Sequence, residues 1–292
     1  MYATLLLVVG VFVGGVATYW IPFALDTLTA DSTVRTQKDA EKKADFKDPP
    51  FTVELRYETF GPGFANPWHM VLDRPLTQAE QKQLTSVRGE GTEYFAQVHK
   101  ILAPLGARVI TYAGYALGRD NTARSFFLNL HSDRNAELSI VDMKSKIDSC
   151  SPSTAQTVVT QPPAGTVEVP GVLWDLDSGN DNPIAVDEND EHKGEPYFWY
   201  NQIDLGDGAA PGALRVQSAV GRESCRWHIE ARYTDTAGEH GPVRIPAEGE
   251  IFTEALPSHP AQRFTLSEMY ADGENAWRCS GKVVTSNCRG PA

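Results

Sequence analysis

The sequence predicts a mainly β protein, in which an N-terminal transmembrane helix is followed by two β-sandwich-like domains, the first with one or two helical insertions. Three observations predict this fold. The first 25 residues carry no charged side chain. From Phe51 onward, short segments alternate apolar and polar residues, as half-buried strands do. Gly, Pro and Asn punctuate these segments at the spacing of sandwich strands.

The uncharged N-terminal run, residues 1–25, is long enough to cross a hydrocarbon core, which needs roughly 20 apolar residues. No Lys or Arg precedes it, and no small-x-small cleavage site follows it. These features favour an uncleaved transmembrane anchor over the alternative, a cleaved signal peptide. Residues 26–50 are charged and end in Pro-Pro, which predicts a solvated linker.

Two signals conflict over which side of the membrane the body occupies. The span is followed, but not preceded, by basic residues, and the positive-inside rule therefore places the body in the cytoplasm. Four widely spaced cysteines lie after the span and form no C-x-x-C pair. An even set in a β-rich chain is typical of two disulfides, which persist in an oxidising compartment. We favour an extracytoplasmic body, with the cytoplasmic orientation as the alternative. The cysteines are Cys150, Cys225, Cys279 and Cys288.

Residues 51–149 form the first predicted domain. Its strand segments are FTVELRYETF, WHMVLD, ARVITYAGYAL, ARSFFLNLH and ELSIVDMKSKI. Thr77 with Glu80 three residues later is a capping box, which predicts a helix start. Apolar residues at helical spacing between Tyr94 and Leu105 predict a second helix. The apolar alternation breaks between Ile140 and Met143, which predicts a β-bulge there.

Residues 150–270 form the second predicted domain. Its strand segments are GVLWDLD, PYFWYNQIDL, ALRVQSAV, CRWHIEARYTD, GPVRIPA and RFTLSEMY. Trp227 follows Cys225 by two residues and is expected to pack against the disulfide of that cysteine, as in immunoglobulin-like cores. Residues 271–292 form a C-terminal tail that carries the last two cysteines. Residue spacing alone allows all three pairings of the four cysteines.

The segments ELSIVDMKSKIDSC, GVLWDLD, YFWYNQIDL and ESCRWHIEARY resemble a family of uncharacterised, Streptomyces-like actinobacterial proteins. Members of that family have one N-terminal span and an extracytoplasmic β-rich region. The resemblance covers most of residues 50–260. It implies a Cys150–Cys225 disulfide, which leaves Cys279 to pair with Cys288. It implies no activity, catalytic residue or cofactor.

The segment DLDSGNDNPIAVDENDEHKGE, residues 175–195, holds eight carboxylates. Calcium takes six to eight oxygen ligands from carboxylates and carbonyls of flexible loops. Asp175, Asp177 and Asp181 are therefore a candidate calcium site, although the EF-hand pattern fails. The alternative is a solvated acidic loop between two strands, and we expect no resident cofactor.

The aromatic run Tyr197, Phe198, Trp199 and Tyr200 is the candidate ligand-binding feature. In a strand, successive side chains alternate between the two faces of the sheet. Two of these rings would then lie in the core, and the outward pair could stack on sugars or grip a peptide. An edge or covered strand would bury both faces, and burial in the core is the favoured interpretation over a binding surface, because sandwich cores are rich in aromatic residues.

Familiar catalytic signatures are absent from the sequence. It contains no G-x-S-x-G, Ser-x-x-Lys, H-E-x-x-H or Gly-Lys-Ser/Thr phosphate loop. Residues 151–292 carry 10 basic and 21 acidic side chains, and such an acidic surface repels nucleic acid. The sequence does not decide whether the protein is an enzyme, but it favours a protein without catalytic activity.

Three functions remain as hypotheses. The favoured one is a membrane-anchored, extracytoplasmic, non-catalytic module that binds a protein or a cell-wall polymer. The first alternative is a cell-envelope hydrolase with carboxylates in the 175–195 loop, whose pair would lie about 5–10 Å apart. The second alternative is a structural subunit of a membrane complex.

Overall fold

A computed structural model describes residues 49–58, 68–88, 92–112, 122–162, 171–187, 190–236, 238–267, 276–285 and 288. These residues form two β-sheets and few helices, which confirms the predicted mainly β fold. The predicted transmembrane span and nearly all of the predicted linker lie outside the described residues. Among the residues that are described, no helix has the length and apolarity to span a membrane.

The larger sheet has ten strands, and nine follow the order β15-β14-β6-β2-β3-β4-β10-β7-β8 while β1 pairs with β4. Their bounds are β1 Thr52–Tyr57, β2 Trp68–Leu72, β3 Arg108–Tyr112, β4 Thr122–His131, β6 Thr157–Gln161, β7 Val172–Asp175, β8 Ile184–Ala185, β10 Gly212–Val220, β14 Gln262–Ser267 and β15 Ala276–Gly281. Most neighbours are antiparallel, whereas β7–β10 and β6–β14 are parallel. The predicted C-terminal tail therefore contributes a strand, β15, to this sheet.

The smaller sheet has five strands in the order β12-β11-β5-β9, with β13 also paired with β11. Their bounds are β5 Leu138–Pro152, β9 Ile203–Leu205, β11 Glu223–Asp235, β12 Gly238–Ile245 and β13 Ile251–Thr253. The antiparallel ladder of β5 and β11 runs from Leu138–Asp235 to Pro152–Glu223. The predicted domain boundary at residues 149/150 lies within β5, and the larger sheet takes strands from both sides of it.

Helices α1, Gln78–Thr85, and α2, Thr92–Leu102, occupy the predicted positions. The capping box is confirmed: the Thr77 hydroxyl accepts from the Glu80 amide, and the Glu80 carboxylate accepts from the Thr77 amide. A 3-10 turn, Ala103–Leu105, ends α2. Apolar residues of α2 pack on the larger sheet, where Phe95 meets Trp68 edge-to-face at 5.7 Å.

One buried apolar cluster joins the two sheets. Inward residues of β4, Phe126, Leu128 and Leu130, share this cluster with Ile140 and Met143 of β5 and with Trp227 and Ile229 of β11. The predicted bulge is confirmed. Tyr233 pairs with Ile140 and its neighbour Arg232 pairs with Asp142, so Val141 is an extra residue without a partner position on β11. The extra residue turns both Ile140 and Met143 toward the core, although they are three positions apart.

Both disulfides are present. Cys150 bonds to Cys225 across directly paired positions of β5 and β11, and Cys279 of β15 bonds to Cys288. The pairing implied by the family resemblance is thus confirmed. Cys225 and Trp227 belong to the same buried cluster.

The two disulfides should differ in their contribution to stability. The Cys150–Cys225 bond spans 75 residues and the Cys279–Cys288 bond spans 9. Loop-closure entropy then predicts a loss of about 4.5 kcal/mol for C150S/C225S against about 2.5 kcal/mol for C279S/C288S. Urea unfolding of the two double variants measures the difference. An equal loss, or a larger loss for C279S/C288S, would contradict the entropic account.

Candidate functional site

The aromatic run is not a strand, and that part of the prediction is wrong. Tyr197–Trp199 form a 3-10 turn, and the strand β9 begins only at Ile203. Pro196 precedes the turn with φ −59°; its ring fixes that angle and so favours turn conformations. Tyr197 and Phe198 pack against the shared core, whereas Trp199 is 71% exposed and Tyr200 51% exposed. Two rings still face inward and two outward, but as consecutive pairs.

An open groove of about 320 Å³ lies between this turn and strand β5. We call it the β5 groove. Five apolar and three polar residues line it. Its lining residues are Val141, Asp142, Lys144, Asn182, Pro183, Pro196, Phe198 and Trp199.

The floor of the β5 groove is the bulged part of strand β5. Val141 is the extra residue of the bulge, and Asp142 and Lys144 follow it. A bulge bends the strand and redirects neighbouring side chains. The sequence predicted the bulge, but it did not identify these three residues as parts of a site. The break in the apolar alternation was the only sequence signal that marked them.

The Asn182–Pro183 side of the groove is tied to the core through the backbone carbonyl of Asp181. That carbonyl accepts hydrogen bonds from the Ser145 amide at 2.9 Å and from the Trp174 indole nitrogen at 3.1 Å. The Trp174 ring is fully buried and packs on Trp227 at 5.7 Å. The loop is therefore held in place before any ligand arrives.

Backbone hydrogen bonds join the Pro196–Trp199 side of the groove to the Asn182–Pro183 side. Gly194 has φ +87°, a conformation that favours glycine and reverses the chain here. The Tyr197 amide donates to the Pro183 carbonyl at 2.8 Å, and the Ala185 amide donates to the Glu195 carbonyl at 3.0 Å. The two sides thus form one hydrogen-bonded unit.

Tyr200 has a rigid support on one face. The His192 ring lies parallel to the Tyr200 ring, with 3.6 Å between their centroids. The Tyr200 hydroxyl donates a hydrogen bond to the Glu195 carboxylate, which raises the pKa of Tyr200. Despite this support, the Tyr200 side chain is half exposed.

The three candidate calcium ligands have protein partners in the structure. Asp177 accepts a hydrogen bond from the Gly221 amide at 2.7 Å, and Asp175 accepts one from the Asp177 amide. The Asp181 carboxylate contacts Lys146 at 3.0 Å and Lys144 at 3.6 Å. Within the described ranges, no group of three or more His, Cys, Asp or Glu side chains is arranged to hold a metal ion. Calcium binding stays a prediction.

A second cavity, of about 240 Å³, opens where β1 and β3 diverge along the edge of β4. Glu58 and Glu254 both line it. Glu58 contacts Arg215 at 2.6 Å, and Glu254 contacts Arg108 at 2.6 Å. Both carboxylates of this cavity are therefore paired with arginine side chains.

No protein-family model, curated protein or solved structure matches the chain. The resemblance to anchored actinobacterial proteins therefore stays a prediction.

The contacts between Asp181 and the two lysines predict that the stability of the fold depends on pH. Burial would raise the pKa of Asp181, but the hydrogen bond from Lys146 and the charges of both lysines outweigh it and lower the pKa below 3.8. A carboxyl whose pKa is lower in the folded protein stabilises the fold above its unfolded pKa. That stabilisation is lost as the pH falls through the folded pKa.

Asp181→Asn should therefore lower the urea midpoint at pH 7, with the gap to the wild type closing as the pH falls below the ordinary aspartate pKa of 3.8. Asp177→Asn is the matched control, because it removes a carboxylate of the same loop that contacts a backbone amide and no lysine. A gap for Asp181→Asn that is unchanged between pH 7 and pH 2 would rule out the lysine contact as its cause.

Proposed function

We propose that this protein is a membrane-anchored, extracytoplasmic, non-catalytic binding module and that the β5 groove holds a cell-wall polymer or a protein. The observation that carries this proposal is the exposure of Trp199 at the edge of a fixed groove. Trp199 is the most exposed large apolar side chain in the described part of the chain.

The position of Trp199 supports a binding role over a packing role. Its neighbours Tyr197 and Phe198 are packed against the core, so the turn does not need Trp199 for its own stability. Trp and Tyr are the residue types enriched at the energetic centres of interfaces. A site that is rigid before binding also loses less conformational entropy when a ligand arrives.

The disulfides support the proposed compartment. All four cysteines are paired, and two disulfides in one chain are typical of an oxidising environment outside the cytoplasm. The uncharged run at residues 1–25 supplies the proposed anchor. The acidic composition of residues 151–292 supports the exclusion of nucleic acid as a partner.

Trp199→Ala tests this proposal. Detergent removes the contribution of the proposed membrane anchor, so after detergent extraction the full-length protein should stay on the insoluble envelope material through the groove, and Trp199→Ala should weaken this retention roughly tenfold, as the loss of an aromatic interface residue does. Val284→Ala is the matched control, because it removes another exposed apolar side chain, 66% exposed, that does not line the groove. Equal retention of the wild type and Trp199→Ala would contradict the proposal.

Deletion of Val141 provides a second test that leaves Trp199 in place. Removal of the extra residue restores regular pairing of β5 with β11 at this bulge, with Ile140 and Met143 still facing the core. We therefore expect cooperative unfolding and both disulfides to persist while envelope retention falls. Full retention by this variant would show that the floor of the groove is not part of the site.

A further inference from the structure

We infer that the ligand of the β5 groove is an uncharged polysaccharide chain that stacks sugar rings on Trp199 and Tyr200. This inference rests on the proposed function and narrows it to one class of ligand. Its starting point is the pair of neighbouring residues that both expose their rings.

The two exposed rings provide the apolar half of a sugar site. The face of an aromatic ring carries partial negative charge. The C–H groups on one face of a pyranose ring carry partial positive charge, so the two faces attract each other. The His192 ring fixes the plane of Tyr200 from behind, and the Pro196 turn fixes the position of Trp199. The plane of the Tyr200 ring and the backbone at Trp199 are therefore held in place before binding.

The groove also provides polar groups that match hydroxyls. Asp142 offers acceptors, Lys144 offers donors, and Asn182 offers both. A sugar hydroxyl donates one hydrogen bond and accepts others, so a mixed set of this kind satisfies it. Asp142 makes no hydrogen bond with the described residues, and its carboxylate oxygens are available to a ligand.

The charge around the platform disfavours anionic polymers. Glu191 and Glu195 flank His192 behind the Tyr200 ring, at 3.3 and 3.5 Å from its nitrogens. Lys144, which lines the groove, and Lys146 both contact the Asp181 carboxylate, which offsets their charge. An anionic chain would therefore meet an acidic surface on which the charges of these lysines are already offset.

The backbone around the groove disfavours an extended peptide. A peptide that adds to a sheet needs a strand edge with unpaired N–H and C=O groups. Residues Leu138–Ile140 of β5 are paired with β9 on this side, and the Ser145 amide is bonded to Asp181. The segment between them is the bulge, whose geometry interrupts a regular ladder.

The test is a titration of the full-length protein with four probes, followed by tryptophan fluorescence and calorimetry. The probes are a cello-oligosaccharide, a fully N-acetylated chito-oligosaccharide, polygalacturonate and a proline-rich peptide. We expect at least one of the two neutral oligosaccharides to bind. Trp199→Ala and Tyr200→Ala should each raise its Kd roughly tenfold or more, Trp199→Phe should retain most of the affinity, and Val284→Ala should not change it.

The outcomes separate the inference from the proposed function. Binding of polygalacturonate or the peptide that depends on Trp199, without binding of either neutral oligosaccharide, would overturn the inference and leave the binding module intact. Binding of a neutral oligosaccharide that is unaffected by both alanine variants would overturn the assignment of the site. If no probe binds while Trp199 still determines retention on envelope material, the neutral-glycan inference is wrong and the proposed function stands.

Discussion

The antiparallel ladder between β5 and β11 is the interaction on which the smaller sheet depends. Strands β12 and β13 pair with β11, and β9 pairs with β5. In the described residues, the β5–β11 ladder is therefore the only strand pairing that joins these two groups of strands. The Cys150–Cys225 disulfide joins directly paired residues near one end of the ladder. Near the other end, the bulge at Val141 keeps the apolar side chains of β5 facing the core and forms the floor of the groove. The ladder thus connects the stability of the sheet to the shape of the site.

The acidic loop illustrates how side chains that look like ligands can serve structure. Asp181 holds its loop on β5 twice, through its carbonyl bonded to Ser145 and Trp174 and through its carboxylate beside two lysines. Asp177 bonds to the amide of Gly221, at the turn between β10 and β11. These contacts give Asp177 and Asp181 structural roles in the loop. In the proposed site they fix the Asn182–Pro183 side of the β5 groove.

Much of the fold was predictable, because the relevant signals are local in sequence. The capping box of Thr77 and Glu80, the period-two strands and the bulge between Ile140 and Met143 all depend on neighbouring residues, and the structure confirms them. The conformation of Tyr197–Trp199 was not predictable from its aromatic composition, which favours a strand, because a proline and a bond to the distant Pro183 determine the turn. Asp142, Lys144 and Asn182 come together only through the pairing of distant segments, so no short motif identifies the groove.

We propose that the β5 groove is the place where this protein binds its ligand. The direct test is hydrogen–deuterium exchange on the full-length protein, with and without solubilised envelope polysaccharide. Slower exchange at Val141–Lys144 and across residues 190–203, with unchanged exchange around Glu58 and Ile110 in the second cavity, is the predicted result. Slower exchange confined to the second cavity, or no change in either region, would contradict the claim.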